Sequence, residues 1–248
     1  MWGRDGSKLS VVFSATTVSG ISGWCTTPTM EVDYGTYLVT QASISGDRDT
    51  AAVVDAAIAG GVDVVQLREK GRSARKRVAL ARRLREPTAD AGVPLLVNDR
   101  VDVAVAADAD GVHLGDEDIP VPAAREQLGP DAVIGRSVST VSAAREAVDA
   151  GADYLGVGAV FETGSKDVDD EEEGIGTERV RAIADAVDVP FVGIGGVDAD
   201  NAADVVAAGA DGVAVISAIT AADDPEAATR ELDAAVQSGR ERRGGVEA

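Results

Sequence analysis

Phe191–Ser217 reads FVGIGGVDADNAADVVAAGADGVAVIS. It opens on a short apolar run, Phe191–Ile194, and passes the pair Gly195-Gly196. An Ala-rich stretch with helical spacing follows over Asp198–Ala208. After Gly209 and Gly212 comes a second apolar run, Val213–Ile216. Nearly continuous apolar runs of this length suit strands buried on both faces, and the amphipathic stretch between them suits a crossover helix. One strand, one helix and one parallel strand make the unit of an α/β fold.

The same unit recurs in both directions along the chain. Strand-like runs are Thr36–Thr40, Val62–Leu67, Pro94–Asn98, Gly111–Leu114, Val133–Ser137 and Tyr154–Gly158, besides the two above. Amphipathic stretches fall at Asp49–Ala59, Ser73–Ala91, Thr140–Ala150, Thr177–Val187 and Pro225–Val236, with shorter ones at Val101–Ala107 and Val121–Leu128. Glycines such as Gly92, Gly151 and Gly209 stand where helices end before strands. Eight such units predict an α/β fold, a (β/α)8 TIM barrel in a single domain spanning residues 30–237. No G-x-G-x-x-G follows the first run, which weighs against a dinucleotide fold.

The composition narrows the class. A formal charge of −20 argues against nucleic acid or an anionic membrane as partner and suits the acidic, halophile-like surface of a salt-adapted protein. Lysine occurs only at Lys8, Lys70, Lys76 and Lys166, so the surviving lysines call for a reason. Cys25 is the sole cysteine, which leaves no disulfide within the chain and fits a reducing, cytoplasmic setting. No apolar run approaches the length of a membrane span. Residues 1–29 differ from the rest: they are rich in Ser, Thr and Gly, and Asp5 is their one acid. Polar residues interrupt the apolar stretch Leu9–Phe13 too soon for a signal peptide. The expectation is a disordered extension, or a stretch ahead of a true start at Met30. Residues 238–248, short and charged, are expected to be a frayed tail.

In such barrels the chemistry sits at the C-terminal ends of the strands. The second run ends in Gln66, Arg68 and Lys70, whose period of two turns all three to one side of an extended chain. A guanidinium fork and an ammonium suit a multiply charged anion. The third run ends in Asn98 and Asp99, and Asp118 follows the fourth. Both carboxylates are hard oxygen ligands suited to Mg²⁺ beside phosphates. A helix N-cap is the competing explanation for each. Gly196, Ile216 and Ser217, after the last two runs, read as a cradle for a monophosphate, or as a plain tight turn. Ser137 ends the fifth run, and Thr163-Gly164-Ser165-Lys166 offers two hydroxyls and a charge in a loop. The acidic run Asp167–Glu173 reads as a solvated lid segment. His113, the sole histidine, reads as a hydrogen-bonded barrel residue before it reads as a base.

Together the motifs QLREK (66–70), NDRVD (98–102), GVHLG (111–115) with Asp118, IGRS (134–137), YLGVGAVFETGSK (154–166), GIGG (193–196) and ADGVAVISAI (210–219) resemble the thiamine-phosphate synthase family. The likeness runs from Thr36 to Ile219. It implies a transferase that joins 4-amino-2-methyl-5-(diphosphooxymethyl)pyrimidine to a thiazole phosphate, carboxylated or not. Thiamine phosphate and pyrophosphate would be released by a dissociative carbocation mechanism. By this resemblance Gln66, Leu67, Arg68, Glu69, Lys70, Asn98, Ser137 and Lys166 hold the pyrimidine diphosphate, with Arg68, Lys70 and Lys166 catalytic. Thr163, Gly164, Ser165, Gly196, Ile216 and Ser217 hold the thiazole phosphate. Asp99 and Asp118 hold one Mg²⁺ per subunit.

Two positions depart from the family pattern. Ser165 stands where the pattern T-x-T-K has Thr, and Asp116 stands where the family has Gln after HLG, adding charge beside the metal ligands. The alternatives are a thiazole tautomerase-like isomerase and a non-catalytic phosphate-ligand sensor on the same barrel. The expected partners are small molecules, with monomer and homo-oligomer both open.

Overall fold

The computed structural model describes residues 32–163 and 174–245. The expected extension over residues 1–29 lies outside the described residues. The order is β1 (Thr36–Val39), α1 (Thr50–Gly60), β2 (Val64–Leu67), α2 (Ala74–Ala91), β3 (Leu95–Asn98), α3 (Val101–Ala107), β4 (Gly111–Leu114) and α4 (Val121–Leu128). It continues with β5 (Val133–Val138), α5 (Val141–Asp149), β6 (Tyr154–Gly158), α6 (Gly176–Ala184), β7 (Phe191–Ile194), α7 (Ala202–Ala207), β8 (Gly212–Val215), α8 (Ser217–Thr220) and α9 (Pro225–Gly244). Each strand pairs in parallel with the next, and β1 closes on β8 with Tyr37 opposite Ala214, so the expected eight-stranded barrel is formed.

Strand parity sorts the side chains into two cores. Leu38, Val65, Leu67, Leu95, Val97, Leu114, Ile134 and Leu155 face outward and pack under the helices. Each fully buried Leu or Ile there contributes about 1.5–3 kcal/mol of apolar burial. The alternate residues Tyr37, Val64, Leu96, Tyr154, Val192 and Ala214 fill the barrel interior. Further along the same faces of β1–β6, Val39, Gln66, Asn98, His113, Ser137 and Gly158 reach the C-terminal mouth. Glycines make room where the interior is crowded: a Cβ on Gly111 would lie 1.8 Å from the Val133 carbonyl oxygen.

Two expectations about helices are corrected. Residues 238–244 do not fray, since α9 continues to Gly244; residues 246–248 lie outside the described residues. Its last turns are docked. Gly239 is buried so closely that a Cβ would meet the Ala203 carbonyl oxygen at 2.7 Å. Arg240 bonds Asp33 (2.6 Å) and the Asp211 carbonyl (2.9 Å), and Arg243 bonds the Gly209 carbonyl (2.9 Å). Charge was read as a sign of solvation, but these cations reach partners on neighbouring elements. The helix after β7 begins at Ala202 and not at Asp198, because residues 198–201 form a turn in which the Asn201 side chain accepts from the Asp198 N–H at 3.1 Å.

Candidate active site

The mouth of the barrel opens into a cavity of about 810 Å³. Gln66, Arg68, Lys70, Asn98, Asp99, Ser137, Thr163, Gly196, Ile216 and Ser217 all line it. Strands β2, β3, β5, β7 and β8 thus deliver their terminal residues to one place, as the sequence predicts. Gly164, Ser165 and Lys166, with the acidic run 167–173, lie outside the described residues.

Leu67 and Glu69 are the exceptions on the QLREK segment. By strand parity Leu67 turns outward into the helix layer. Glu69 is 7% exposed. It accepts hydrogen bonds from the Thr40 hydroxyl (3.3 Å), the Ala42 N–H (3.2 Å) and the Thr50 hydroxyl (3.1 Å), and it pairs with Arg72 at 3.5 Å. Its side chain ties β1, α1 and the turn after β2 together and does not face the cavity. Leu67 and Glu69 can therefore reach a diphosphate in the cavity only through their backbone.

Arg68 is only 9% exposed. Its backbone N–H donates to the Thr40 hydroxyl at 3.0 Å, and its guanidinium donates to the Gln41 side-chain oxygen at 3.2 Å. The charge is thereby aimed before any ligand arrives. Lys70 stands exposed at the cavity edge.

Opposite these cations, Asp99 occupies φ 62 at the apex of a three-residue turn in which the Arg100 N–H donates to the Asn98 carbonyl at 2.7 Å. Such turns are rare and strained, and Asp tolerates them better than most residues. The Asp99 N–H donates to the His113 carbonyl (2.9 Å), which holds the turn against β4. Asp118 receives the Gly115 N–H at 2.6 Å, and its carboxyl stands close enough to Asp99 to act on it electrostatically. Burial and then the neighbouring Asp118 push the Asp99 carboxyl up to about 6, while the charges of Lys70 and Arg68 pull it back. The N-cap explanation fails for both acids: α3 is capped at Arg100 and α4 at Pro120, neither with a side-chain cap bond.

Two carboxylates driven together form a donor set that fits a hard divalent cation. Among the described residues no group of three or more His, Cys, Asp or Glu gathers, so phosphate oxygens and water would complete the coordination. Asp116 pairs with Arg136 at 2.6 Å. The charge it adds near Asp99 and Asp118 is therefore offset locally.

On the other side, Gly195 (φ 96) and Gly196 (φ 64) bring the backbone after β7 into the cavity wall. A Cβ on Gly196 would meet the Glu162 carbonyl oxygen at 2.6 Å. The Asn201 side-chain amide donates to the Gly196 carbonyl at 2.9 Å and fixes this loop, a role the sequence reading missed.

It also missed the floor of the cavity. Tyr37 lies hydrogen-bonded between Gln66 (2.8 Å) and Tyr154 (2.8 Å). His113 bonds Tyr154 through Nδ1 (2.8 Å) and Ser137 through Nε2 (2.9 Å). His113 is thus a hydrogen-bonded barrel residue, as expected, and burial followed by the charge of Arg136 pushes its imidazole down to about 4. The signal available was scarcity: the chain has three tyrosines, and Tyr34, Tyr37 and Tyr154 pack ring against ring inside the barrel.

This fold and this mouth define a (β/α)8 barrel enzyme whose cavity gathers two cations, a nearby pair of carboxylates and a glycine loop. A profile of the family described as thiamine monophosphate synthase matches residues 36–219. A thiamine-phosphate synthase from Natronomonas pharaonis is 66% identical over 208 residues, covering 84% of this chain and 97% of the relative. One from Haloarcula marismortui is 66% identical over 210 residues, covering 84% of this chain and 100% of the relative. The solved thiamine phosphate pyrophosphorylase from Pyrococcus furiosus superposes with a TM-score of 0.76 at 39% identity, over 84% of this chain and 97% of that one. The chain belongs to the thiamine monophosphate synthase family and is an enzyme of thiamine biosynthesis.

Proposed function

We propose that the two sides of the 810 Å³ cavity divide the thiamine-phosphate synthase reaction between them. Gln66, Arg68, Lys70, Asn98 and Ser137 hold the pyrimidine diphosphate. Thr163, Gly196, Ile216 and Ser217 hold the thiazole phosphate, either the carboxylated compound or the plain one. The observation that carries this reading is the charge arrangement: the Asp118 carboxyl, Lys70 and Arg68 all act electrostatically on Asp99, and Asp99, Arg68 and Lys70 line one cavity. A diphosphate with a divalent cation completes both halves of that arrangement.

Asp99 and Asp118 would hold one Mg²⁺ per subunit, which when bound supplies positive charge at the departing diphosphate oxygens. The chain's own residues do the rest. Arg68 and Lys70 stabilise the negative charge that develops as the bond from the pyrimidine methylene carbon to the diphosphate oxygen breaks with its electron pair. Lys166 adds to that charge by family likeness. Seating the thiazole through its phosphate puts its ring nitrogen beside the cationic carbon, and the nitrogen lone pair forms the new bond. No nucleophile–base pair is called for. Among the described residues no helix is long and apolar enough to cross a membrane.

The test is incubation with both substrates, with and without Mg²⁺, reading thiamine phosphate by fluorescence after oxidation. Product that needs both substrates and the cation is expected. Absence of product with all three present would refute the reading.

A further inference from the structure

Five side chains from five strands form one continuous hydrogen-bonded line across the cavity floor. It runs Gln66 Nε2 to Tyr37 Oη (2.8 Å), Tyr37 Oη to Tyr154 Oη (2.8 Å), Tyr154 Oη to His113 Nδ1 (2.8 Å) and His113 Nε2 to Ser137 Oγ (2.9 Å). The line is built into the barrel. A Cβ on Gly135 would lie 2.2 Å from the Tyr154 ring, and one on Gly156 would lie 2.8 Å from His113 Cε1, so both neighbours are glycine. Of the five, Gln66 and Ser137 lie in the proposed pyrimidine site. The proposed reaction gives Tyr37, Tyr154 and His113 no role.

Proton counting constrains the line. Burial holds both phenols well above their ordinary range, so each tyrosine carries one O–H, and the neutral imidazole, bonded at both nitrogens, carries one N–H and one acceptor. With one proton per link, the line closes in only two ways. In the first, Gln66 donates to Tyr37, Tyr37 to Tyr154, Tyr154 to His113, and His113 to Ser137. The Gln66 carbonyl oxygen then faces the cavity as an acceptor, and the Ser137 hydroxyl keeps a proton to donate. In the second, every link reverses and the amide turns over. Gln66 then offers N–H and Ser137 offers a lone pair. A change of direction partway leaves a buried O–H or N–H without an acceptor. Arg68 and Lys70 line the cavity with Gln66 and favour the first direction, in which a carbonyl and not an N–H faces them.

We propose that Tyr37, Tyr154 and His113 are positioning residues that lock Gln66 as acceptor and Ser137 as donor in concert, and so make the cavity select a 4-aminopyrimidine over its 4-oxo analogue. The inference rests on the reading above that the pyrimidine lies against Gln66 and Ser137. An aminopyrimidine edge offers an exocyclic N–H donor beside a ring-nitrogen acceptor, the complement of that pair. The oxo ring exchanges the two: its carbonyl accepts and its ring N–H donates. Binding it requires the whole line to reverse, which turns the Gln66 amide N–H toward the two cations, or leaves both edge contacts unpaired.

The experiment measures kcat/KM for the 4-amino and 4-oxo pyrimidine diphosphates with the full-length enzyme, Mg²⁺ and saturating thiazole phosphate. Wild type is expected to prefer the amino compound by about a hundredfold or more. Tyr154→Phe keeps the ring and cuts the line at its centre. It is expected to lower the amino-over-oxo ratio by about tenfold or more, with KM for thiazole phosphate unchanged. His113→Gln, which keeps a donor and an acceptor, should retain more of the ratio than His113→Phe. If thermal unfolding shows that Tyr154→Phe does not fold, Tyr37→Phe severs the Gln66 end alone and is read by the same ratio. An intact ratio with both rates lowered equally assigns the tyrosines to packing and overturns the inference alone. Wild-type turnover of neither compound overturns the functional reading and the inference with it.

Discussion

Asp63 is an acid whose ionisation works against the fold. It stands just before β2, at the end of the barrel opposite the cavity, where its Oδ2 accepts the Thr36 N–H at 2.7 Å. Burial pushes its carboxyl from an ordinary 3.8 up to about 6, the Thr36 bond and the charge of Arg240 oppose the rise, and Asp33 and Asp233 add to it. A raised carboxyl pKa means that between 3.8 and about 6 the folded chain keeps a proton that the unfolded chain has released. Stability falls as pH rises through that window, and above it the full cost is in place. With solvent screening of a half-buried group allowed for, that cost is about 1–2 kcal/mol. Asp63→Asn keeps an oxygen for the Thr36 N–H and has nothing to ionise. The variant should be about 1–2 kcal/mol more stable than wild type at pH 8 and equal to it near pH 3.5. Chemical unfolding of both proteins at fixed ionic strength across that range reads the difference. Turnover should be unchanged, because this face does not carry the chemistry. A variant less stable than wild type at pH 8, or a difference that does not change with pH, would refute the reasoning.

Four further outcomes follow from the same geometry. Asp99→Asn, which tolerates the left-handed turn, should lower turnover by a hundredfold or more in steady-state assays and weaken Mg²⁺ binding, yet not lower the melting temperature at pH 8, because it relieves a repulsive carboxylate pair. Gly135→Ala should cost about 1–3 kcal/mol by displacing the Tyr154 ring, read by urea unfolding. Arg125→Ala removes bonds to Asp153 and to the carbonyls of Ala132 and Pro130, and should cost about 1–2 kcal/mol in the same assay. Lys166→Ala should reduce turnover strongly where Glu171→Ala barely alters it, and equal effects would remove Lys166 from the diphosphate grip.

The barrel was legible because most strands are apolar runs between a helix-ending glycine and a polar terminus, as in Gly212–Val215 after Gly209 and before Ser217. The cationic and acidic side chains at the mouth were legible for the same reason, since a charge ending a buried run is conspicuous. The contiguous motif does not itself show that Leu67 and Glu69 turn their side chains from the cavity; strand parity, which sends alternate residues to opposite faces, does. Tyr37 and Tyr154 escaped notice because a tyrosine within an apolar run reads as core. Only the register that sets β1 beside β2 and β5 beside β6 shows its hydroxyl partners. Asn201 was hidden likewise, its amide reaching back five residues to Gly196. The continuation of α9 depended on Arg240 and Arg243 finding acceptors on other elements, which charge content alone does not reveal.

The arrangement of cations explains how a chain of net charge −20 sustains an anion-binding cavity. Arginines cap helix ends at the far face of the barrel. Arg82 and Arg85 donate to the Ala106 and Asp108 carbonyls at the end of α3, and Arg243 donates to Gly209 and Ala210 after α7. The C-terminal carbonyls of a helix lack intrahelical donors and carry partial negative charge, so a cation there satisfies a bond and a dipole together. Arginine suits this work because its planar fork reaches two acceptors at once and its charge is weakly hydrated. Lysine, a compact and strongly hydrated charge, adds little at such a junction. At the mouth the requirement is reversed: in the proposed reaction the exposed Lys70 would serve a mobile ligand and follow it as it departs. The division accounts for both the excess of arginine and the placement of a rare lysine at the cavity. The acidic surface therefore needs no cation drawn from the site to hold the barrel together.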